Sequence, residues 1–380
     1  MKHTSWVEID RAALLHNVAA FRRLIGDRTF AAVVKGNAYG HGMVEVARTV
    51  EDHVDWFAVN SLDEALGLRA AGCALPVLIM GATMAGCADE VVAAGFRQVV
   101  FNAGAVAALA EAAERAGARH PVHLEIETGT NRLGARPEDA VALAEQIRSK
   151  PSLHLEGVYT HYANVEDTLD SSYAEQQLTR FREALARIEA AEPVPIRHSA
   201  ASAAAILHPQ THFNLVRVGI SLYGLWPSSL TEEAASLRDV GLDLRPALAW
   251  KTRVVHLNHV PMGETVGYGC TYYTSQPRTI AVLPVGYYEG FDRGLSSRGP
   301  EPVFSVLVRG CPAPIVGRVS MNMTMVDVTR IPGAAVGDEV VIIGRQGEGA
   351  MPAETMADAL GTINYEVVTR IGASVPRVLV

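Results

Sequence analysis

The chain has 380 residues, 49% hydrophobic and 19% charged, which is too long for one ordinary domain and apolar enough to bury a large core. A formal net charge of −8 argues against a nucleic-acid footprint, which needs clustered basic surface. Cys73, Cys87, Cys270 and Cys311 lie far apart with no C-x-x-C spacing, which gives little support to a zinc site or a disulfide framework and fits a reducing compartment. No stretch is apolar enough for a signal peptide or a membrane span, so the expected location is cytoplasmic.

Asp10 is placed to cap a helix through RAALLHNVAAFRRLIG, whose apolar positions recur at helical spacing. A repeated theme follows: a short apolar strand, a polar or Gly-containing turn, then an Ala-rich helix. TFAAVVKG leads to MVEVARTV, DWFAVN to SLDEALGLRAAG, PVLIMG to ADEVVAAG and RQVVF to AGAVAALAEAAERAG. VHLEIE leads to RPEDAVALAEQIRS, LHLEGVYTH to YAEQQLTRFREALARIEA and PIRHSA to ASAAAIL, and NLVRVGI closes the series. Eight such strands predict an α/β architecture with a parallel (β/α)8 barrel, and their span of roughly 230 residues approaches the usual barrel size of about 250. The rival, an open doubly wound sheet, lacks a G-x-G-x-x-G after its first strand. After about residue 240 the pattern changes to LAWKTRVVHLNHV, RTIAVLPVGY, VFSVLVRG and DEVVIIG between Gly/Pro turns, with one helix expected at PAETMADALG. The expected division is a barrel over 1–240 and a β-rich domain over 241–380, with residues 1–9 a candidate for pairing with the second.

Chemistry in a barrel belongs to the carboxyl ends of the strands. Read in order, those ends carry Lys35, Asn60, Arg132, His161, Ser202 and Arg217. Lys35 closes the apolar run AAVV, where a lysine either snorkels to solvent or has a task; on position alone the two are equally favoured. Its flank, Gly-Asn-Ala-Tyr-Gly-His-Gly, is a run of small residues with one phenol. A desolvated lysine has a depressed pKa and can form a Schiff base with an aldehyde. Phosphate sites in such barrels follow strands seven and eight, where Ser202 and the Arg217-Val-Gly219-Ile220 turn fall. Ser202 alone reads as a helix cap. Lysine and phosphate loops together point to a phosphorylated aldehyde, pyridoxal phosphate. Tyr268 and Tyr287 lie in Gly-rich β turns and by themselves read as packing residues, as His161 and His41 do.

VVKGNAYGHG closely resembles the cofactor-lysine motif of alanine racemases, with Gly36 where alanine is common. The resemblance continues through TGTNRLG, YTHYAN, SAASAAAILHPQTHFNLVRVGISLYG, VGYGCTYY, GRVSMNMTMVDV and TINYEVVTRI, nearly the whole chain. It implies a pyridoxal-phosphate barrel plus a β domain, assembled as a homodimer whose active sites each join one barrel to the partner's β domain. It also implies alanine as substrate and D-alanine for wall precursors as a product. Lys35 then corresponds to the cofactor lysine and one catalytic base, and Tyr268 of the partner subunit to the base on the opposite face. His161 and Arg217 resemble the pair linking that tyrosine to the pyridine nitrogen. Tyr39, Ser202, Gly219, Ile220 and Tyr365 match phosphate-binding positions, while Arg132 and the Met321 backbone match the holders of the substrate carboxylate; Tyr287 completes the substrate set. Two positions depart: Asn322 stands where an aspartate is usual, and Glu125 where many members carry a carbamylated lysine. Glu125 is expected to pair bidentately with Arg132.

Other readings have sequence signatures of their own. A pyridoxal-phosphate decarboxylase also pairs a barrel with a β domain, but carries a reactive cysteine in a C-terminal motif that nothing here resembles. A non-catalytic cofactor-binding protein would resemble the barrel alone, against which the Tyr268 motif argues. A racemase of broader specificity, accepting serine or larger side chains, stays open.

Overall fold

The structure is a computed structural model and describes residues 3–297 and 301–380. The chain divides into two units: Ala12–Ala38 with Val46–Pro246, and the segment ending at Arg11 with Tyr39–Glu45 and Ala247–Val380.

Strand β1 (Ser5–Ile9) belongs to the second unit. The first unit holds eight parallel strands: β2 (Thr29–Val33), β3 (Trp56–Val59), β4 (Val77–Ile79), β5 (Arg97–Val100), β6 (His120–Glu125), β7 (Leu153–Tyr159), β8 (Ile196–His198) and β9 (Leu215–Val218). Neighbours in sequence are neighbours in the sheet, and β9 returns to β2, with Ala31 opposite both Trp56 and Arg217. Backbone bonds from Asn214 N–H to Arg197 O (3.3 Å) and from Arg217 N–H to Ala200 O (3.1 Å) draw β8 against β9, so the barrel nearly closes. Strands covered on both faces read as continuous apolar runs, and β3 and β4 are buried throughout. Helices alternate with the strands. In Ala103–Ala116 the buried residues Val106, Leu109, Ala110 and Ala113 recur at helical spacing. Asn102 caps that helix by accepting the Ala105 N–H at 2.9 Å, a contact whose loss to alanine costs about 1 kcal/mol.

The second unit is mostly sheet. Its largest sheet runs β16 (Cys311–Pro314), β15 (Ser305–Val308), β18 (Glu339–Gln346), β10 (Leu248–Arg253), β1 and β20 (Arg377–Leu379), with β19 (Gly349–Met351) on β18. Strand β1 is antiparallel to β10 (Val7 opposite Trp250) and parallel to β20 (Glu8 opposite Val378). Trp6 and Trp250 are fully buried, and Lys251 Nζ bridges β1 and β18 through Glu8 (2.8 Å) and Glu339 (3.2 Å). A second sheet orders β11 (His256–Val260), β14 (Arg278–Leu283) and β17 (Thr324–Asp327), and β12 (Thr265–Val266) with β13 (Tyr272–Tyr273) forms a ribbon around Tyr268. The unit's α-helices among the described residues beyond Ala247 are Ala353–Leu360 and Asn364–Thr369. The second is only six residues long, too short to show a helical period in sequence.

Candidate active site

Lys35 follows β2 and begins a left-handed turn: Gly36, Asn37, Ala38 and Tyr39 have φ of 62°, 54°, 54° and 52°. Left-handed backbone costs non-glycine residues about 1–2 kcal/mol each, so this turn needs external support. Glu64 gives it. Its Oε1 accepts the Gly36 N–H at 2.6 Å, while Oε2 accepts Asn60 N–H at 2.7 Å and Ser61 N–H at 3.3 Å. Ser61 Oγ reciprocates by accepting the Glu64 N–H, closing a capping box on the helix Leu62–Ala70. Burial lowers the proton affinity of Lys35, and the charges of Arg132 and Arg217 lower it further, against the opposing pull of Glu64.

Arg217 lies inside β9 rather than at its end, and is 3% exposed. Its Nη2 donates to Thr160 O (3.0 Å) and Ser199 O (3.1 Å) and meets His161 Nδ1 at 3.5 Å; its Nη1 meets His198 Nδ1 at 2.5 Å. The guanidinium sits 5.0 Å above the Tyr159 ring. Burial, then Arg217, Arg132 and Lys35, push His161 down to about 3, so its imidazole is neutral at physiological pH.

Arg132 is exposed on a loop seven residues beyond the end of β6. Glu127 holds that loop by accepting the N–H groups of Gly129 and Arg132. Glu127 and Glu64 were not read from the sequence as site residues. A carboxylate that accepts backbone N–H groups in a loop leaves no sequence pattern, whereas the Ser61-x-x-Glu64 spacing does announce a cap. The expected Glu125–Arg132 pair does not form: no ion pair joins them within 4.0 Å among the described residues. Glu125, 5% exposed, interacts instead with the Tyr159 phenol, and burial raises its proton affinity. The glutamate side chain is buried, while Arg132 is exposed and lines the cavity beside Thr130 and His161.

Ser202 opens the helix Ser202–Leu207, and its Oγ accepts the Gly219 N–H at 3.0 Å and the Ser221 N–H at 3.5 Å. Its own O–H remains to donate. Gly219 N–H is therefore engaged by Ser202, and Ile220 beside it is buried. Ser199, the neighbouring serine, receives a bond from Tyr162 and donates to Thr211 O. A cavity of about 370 Å³ opens among Thr130, Arg132, His161, Tyr162, Ala201 and Ala204. The donor set fits a phosphorylated aldehyde: a half-buried amine, two guanidinium groups acting on it, and a serine hydroxyl at a helix start.

In the second unit, the Tyr39 and Tyr365 rings lie 6.1 Å apart. Tyr268 is 72% exposed, held on a turn where Gly267, Gly269 and Cys270 all have positive φ. At φ of 73°, Gly269 holds a backbone conformation that side-chain-bearing residues rarely adopt, which favours glycine at this point of the turn. Tyr287 N–H donates to Ser320 O at 3.1 Å and Tyr288 N–H to Met321 O at 2.9 Å, which places Tyr287 and Met321 on adjoining segments. Asn322 Nδ2 donates to Glu289 Oε1 at 2.8 Å, and Glu289 Oε2 accepts the Gly286 N–H at 2.8 Å. An aspartate at 322 could not donate there.

The alanine racemase N-terminal domain model matches residues 9–227 and the alanine racemase C-terminal domain model residues 247–379. An alanine racemase of Desulfosudis oleivorans is 44% identical over 387 residues, covering 99% of this chain and 96% of the relative. The crystal structure of alanine racemase from a D-cycloserine-producing Streptomyces lavendulae matches with a TM-score of 0.91 at 34% identity, covering 100% of this chain and 98% of that one. A Bacillus anthracis alanine racemase crystallised with bound L-Ala-P matches with a TM-score of 0.89 at 34% identity, covering 100% and 96%. With both domain models matched in order and relatives alike over their full length, the chain belongs to the alanine racemase family.

Proposed function

We propose that this pyridoxal-phosphate-dependent isomerase interconverts L- and D-alanine by a two-base exchange, with Lys35 serving one face of the substrate and Tyr268 of the partner subunit the other. The observation that carries this reading is Lys35 itself. It is half-buried at a barrel strand end, with burial, Arg132 and Arg217 all favouring its neutral, proton-accepting form. Racemisation needs a base on each side of Cα, since one removes the α-proton and the other returns it to the far face. Tyr268 is exposed on its own unit, as suits a residue completed by another subunit.

When bound, pyridoxal phosphate supplies the electron sink that accepts the pair left by the α-proton. Lys35 would carry it; Tyr39, Ser202, Gly219, Ile220 and Tyr365 would hold its phosphate. Arg217 would face the pyridine nitrogen. Guanidinium does not give up its proton, so that nitrogen stays unprotonated and side transamination is restrained. Neutral His161 would join Arg217 to Tyr268 and lower the barrier to removing the phenolic proton, whose ordinary pKa is about 10. Arg132 and the Met321 backbone would hold the substrate carboxylate, with Tyr287 beside it and Glu125 and Asn322 in support. A cytoplasmic homodimer completes the reading. No helix among the described residues is long and apolar enough to cross a membrane.

Cα exchange in deuterated solvent tests this. Tyr268→Phe should abolish racemisation yet keep exchange with one antipode, and a panel of L- and D-amino acids separates alanine from serine and larger side chains. Retained exchange with both antipodes would remove Tyr268 from the mechanism.

A further inference from the structure

Arg217 is buried, yet none of the described ion pairs includes it. Its acceptors are two carbonyls and two imidazoles. One of these imidazoles leads further. His198 Nε2 lies 2.9 Å from His123 Nδ1, and His123 Nε2 lies 3.2 Å from Glu156 Oε2. Glu156 is in turn gripped by Arg97, at 3.2 Å from Nε and 3.4 Å from Nη2. The chain crosses the barrel from β9 through β8, β6 and β7 to β5.

Its hydrogen-bond direction is determined by its ends. A guanidinium only donates, so His198 must present the Nδ1 lone pair and carry its proton on Nε2. His123 must then accept at Nδ1 and donate from Nε2 to a carboxylate, which only accepts. Both imidazoles are fully buried, and burial holds both below the ordinary histidine range, as neutral rings require. The rings are clamped as well. Tyr159 stacks on His198 at 4.6 Å with 2° between planes, and Trp56 lies 5.7 Å from His123. A Cβ on Gly157 would fall 2.4 Å from His123 Nδ1, so a glycine makes room for this ring.

We propose that Glu156, His123 and His198 are positioning residues, forming a one-way hydrogen-bond wire that fixes the angle of the Arg217 guanidinium and thereby keeps the enzyme on racemisation instead of transamination. The inference rests on the reading of Arg217 as the group that faces the pyridine nitrogen. Flipping the tautomer of either ring would set N–H against N–H, so His198 Nδ1 stays an acceptor, and turning Arg217 away would leave that buried lone pair unsatisfied.

The test combines nitrogen-15 spectra of histidine-labelled holoenzyme with the ratio of transamination to racemisation turnovers. In the wild type both His123 and His198 should be neutral with the proton on Nε2. Either one as imidazolium or as the Nδ1–H form overturns the wire, whatever the variants do. His123→Phe keeps a ring and removes both bonds, and should raise the ratio about tenfold to a hundredfold. Glu156→Leu should raise it too, with Glu156→Gln, whose amide oxygen still accepts, restoring most of the loss. Lower stability with an unchanged ratio would reduce the wire to a structural role and overturn the proposal. Arg217→Lys separates the two readings. If it raises the ratio while His123→Phe does not, the wire fails and the Arg217 reading stands. If neither raises it, the Arg217 reading fails and the wire falls with it.

Discussion

The Gly36 N–H and the Glu64 carboxylate meet at 2.6 Å, so an acid on the helix Leu62–Ala70 holds the first residue of the turn after Lys35. The same carboxylate is the one neighbouring charge that raises the proton affinity of Lys35. It therefore has two separable roles, as a backbone clamp and as a counter-charge.

Glu64→Ala should remove both roles. On the role proposed for Lys35, its displacement by a fraction of an ångström should cost about tenfold to a hundredfold in kcat/KM. Glu64→Gln keeps an acceptor and loses the charge, so its kcat/KM should recover toward the wild type. In both variants the pH-profile limb belonging to Lys35 should move to lower pH, because the charge that favours protonated lysine is gone. An unmoved limb in Glu64→Gln would limit Glu64 to the clamp.

Borohydride reduction of the holoenzyme followed by peptide mapping should place the pyridoxyl group on Lys35. Lys251 is the instructive contrast. Bonds and charges from Glu8 and Glu339 outweigh its burial and raise its proton affinity, so it stays protonated and a poor nucleophile. Label on Lys251 or Lys150 would remove Lys35 from its assigned place.

The location of Lys35 and Tyr268 in different units of the chain motivates a mixing experiment. An inactive Lys35→Ala chain mixed with an inactive Tyr268→Ala chain should regain activity, because one site of each heterodimer keeps both residues. Proven subunit exchange without activity would contradict a shared site.

Much of this architecture was legible in the residues. Apolar runs such as TFAAVV and DWFAV became parallel barrel strands, and the Lys35, Ser202 and Arg217 segments follow or form strands β2, β8 and β9. What was not legible is how polar side chains meet across the barrel. His123, Glu156 and His198 sit in strands whose spacing looks ordinary, and only the closure of β8 on β9 brings His198 to Arg217. The Glu125–Arg132 expectation failed for a related reason. Spacing along a chain does not reveal that Glu125 is buried at its strand end while Arg132 stands on the exposed wall of the cavity.

Acid should destabilise the fold through buried histidines. Burial pushes His120 down to about 4 and His161 to about 3, from an ordinary value near 6.5. Between those values the unfolded chain binds protons that the folded chain refuses, so stability is full above 6.5 and falls as pH drops toward 4. Glu125 acts oppositely, since its raised proton affinity favours the fold at lower pH, but it is one group against several. His120→Asn should flatten the fall in thermal midpoint between pH 6.5 and 4, because a side chain that cannot titrate takes no part in it. An unchanged slope would show that His120 is protonated in the fold.

Glu125 gives the last prediction, now with a different partner from the one expected from sequence. Its carboxyl lies at the end of β6 beside the Tyr159 phenol, with Oε2 lacking a hydrogen-bond partner. Burial raises its proton affinity more than the positive charges of Arg217 and Arg132 lower it. A group so placed serves Tyr159, and through Tyr159 the His198 ring and the Arg217 guanidinium that lie on its face. Glu125→Gln keeps the shape and the acceptor and removes a charge that Arg132 does not contact, so KM for alanine should stay within about threefold of the wild type. Glu125→Ala removes the buried polar neighbour of the Tyr159 phenol, which should cost about 1–3 kcal/mol of stability. Its kinetic loss should fall on kcat, because the disturbed groups lead to Arg217, which is proposed to face the cofactor, and not to Arg132. Activity should be indifferent to added bicarbonate, since a carboxylate has no amine to take up carbon dioxide. A steep rise in KM for Glu125→Gln with kcat unchanged would return Glu125 to Arg132 and the substrate.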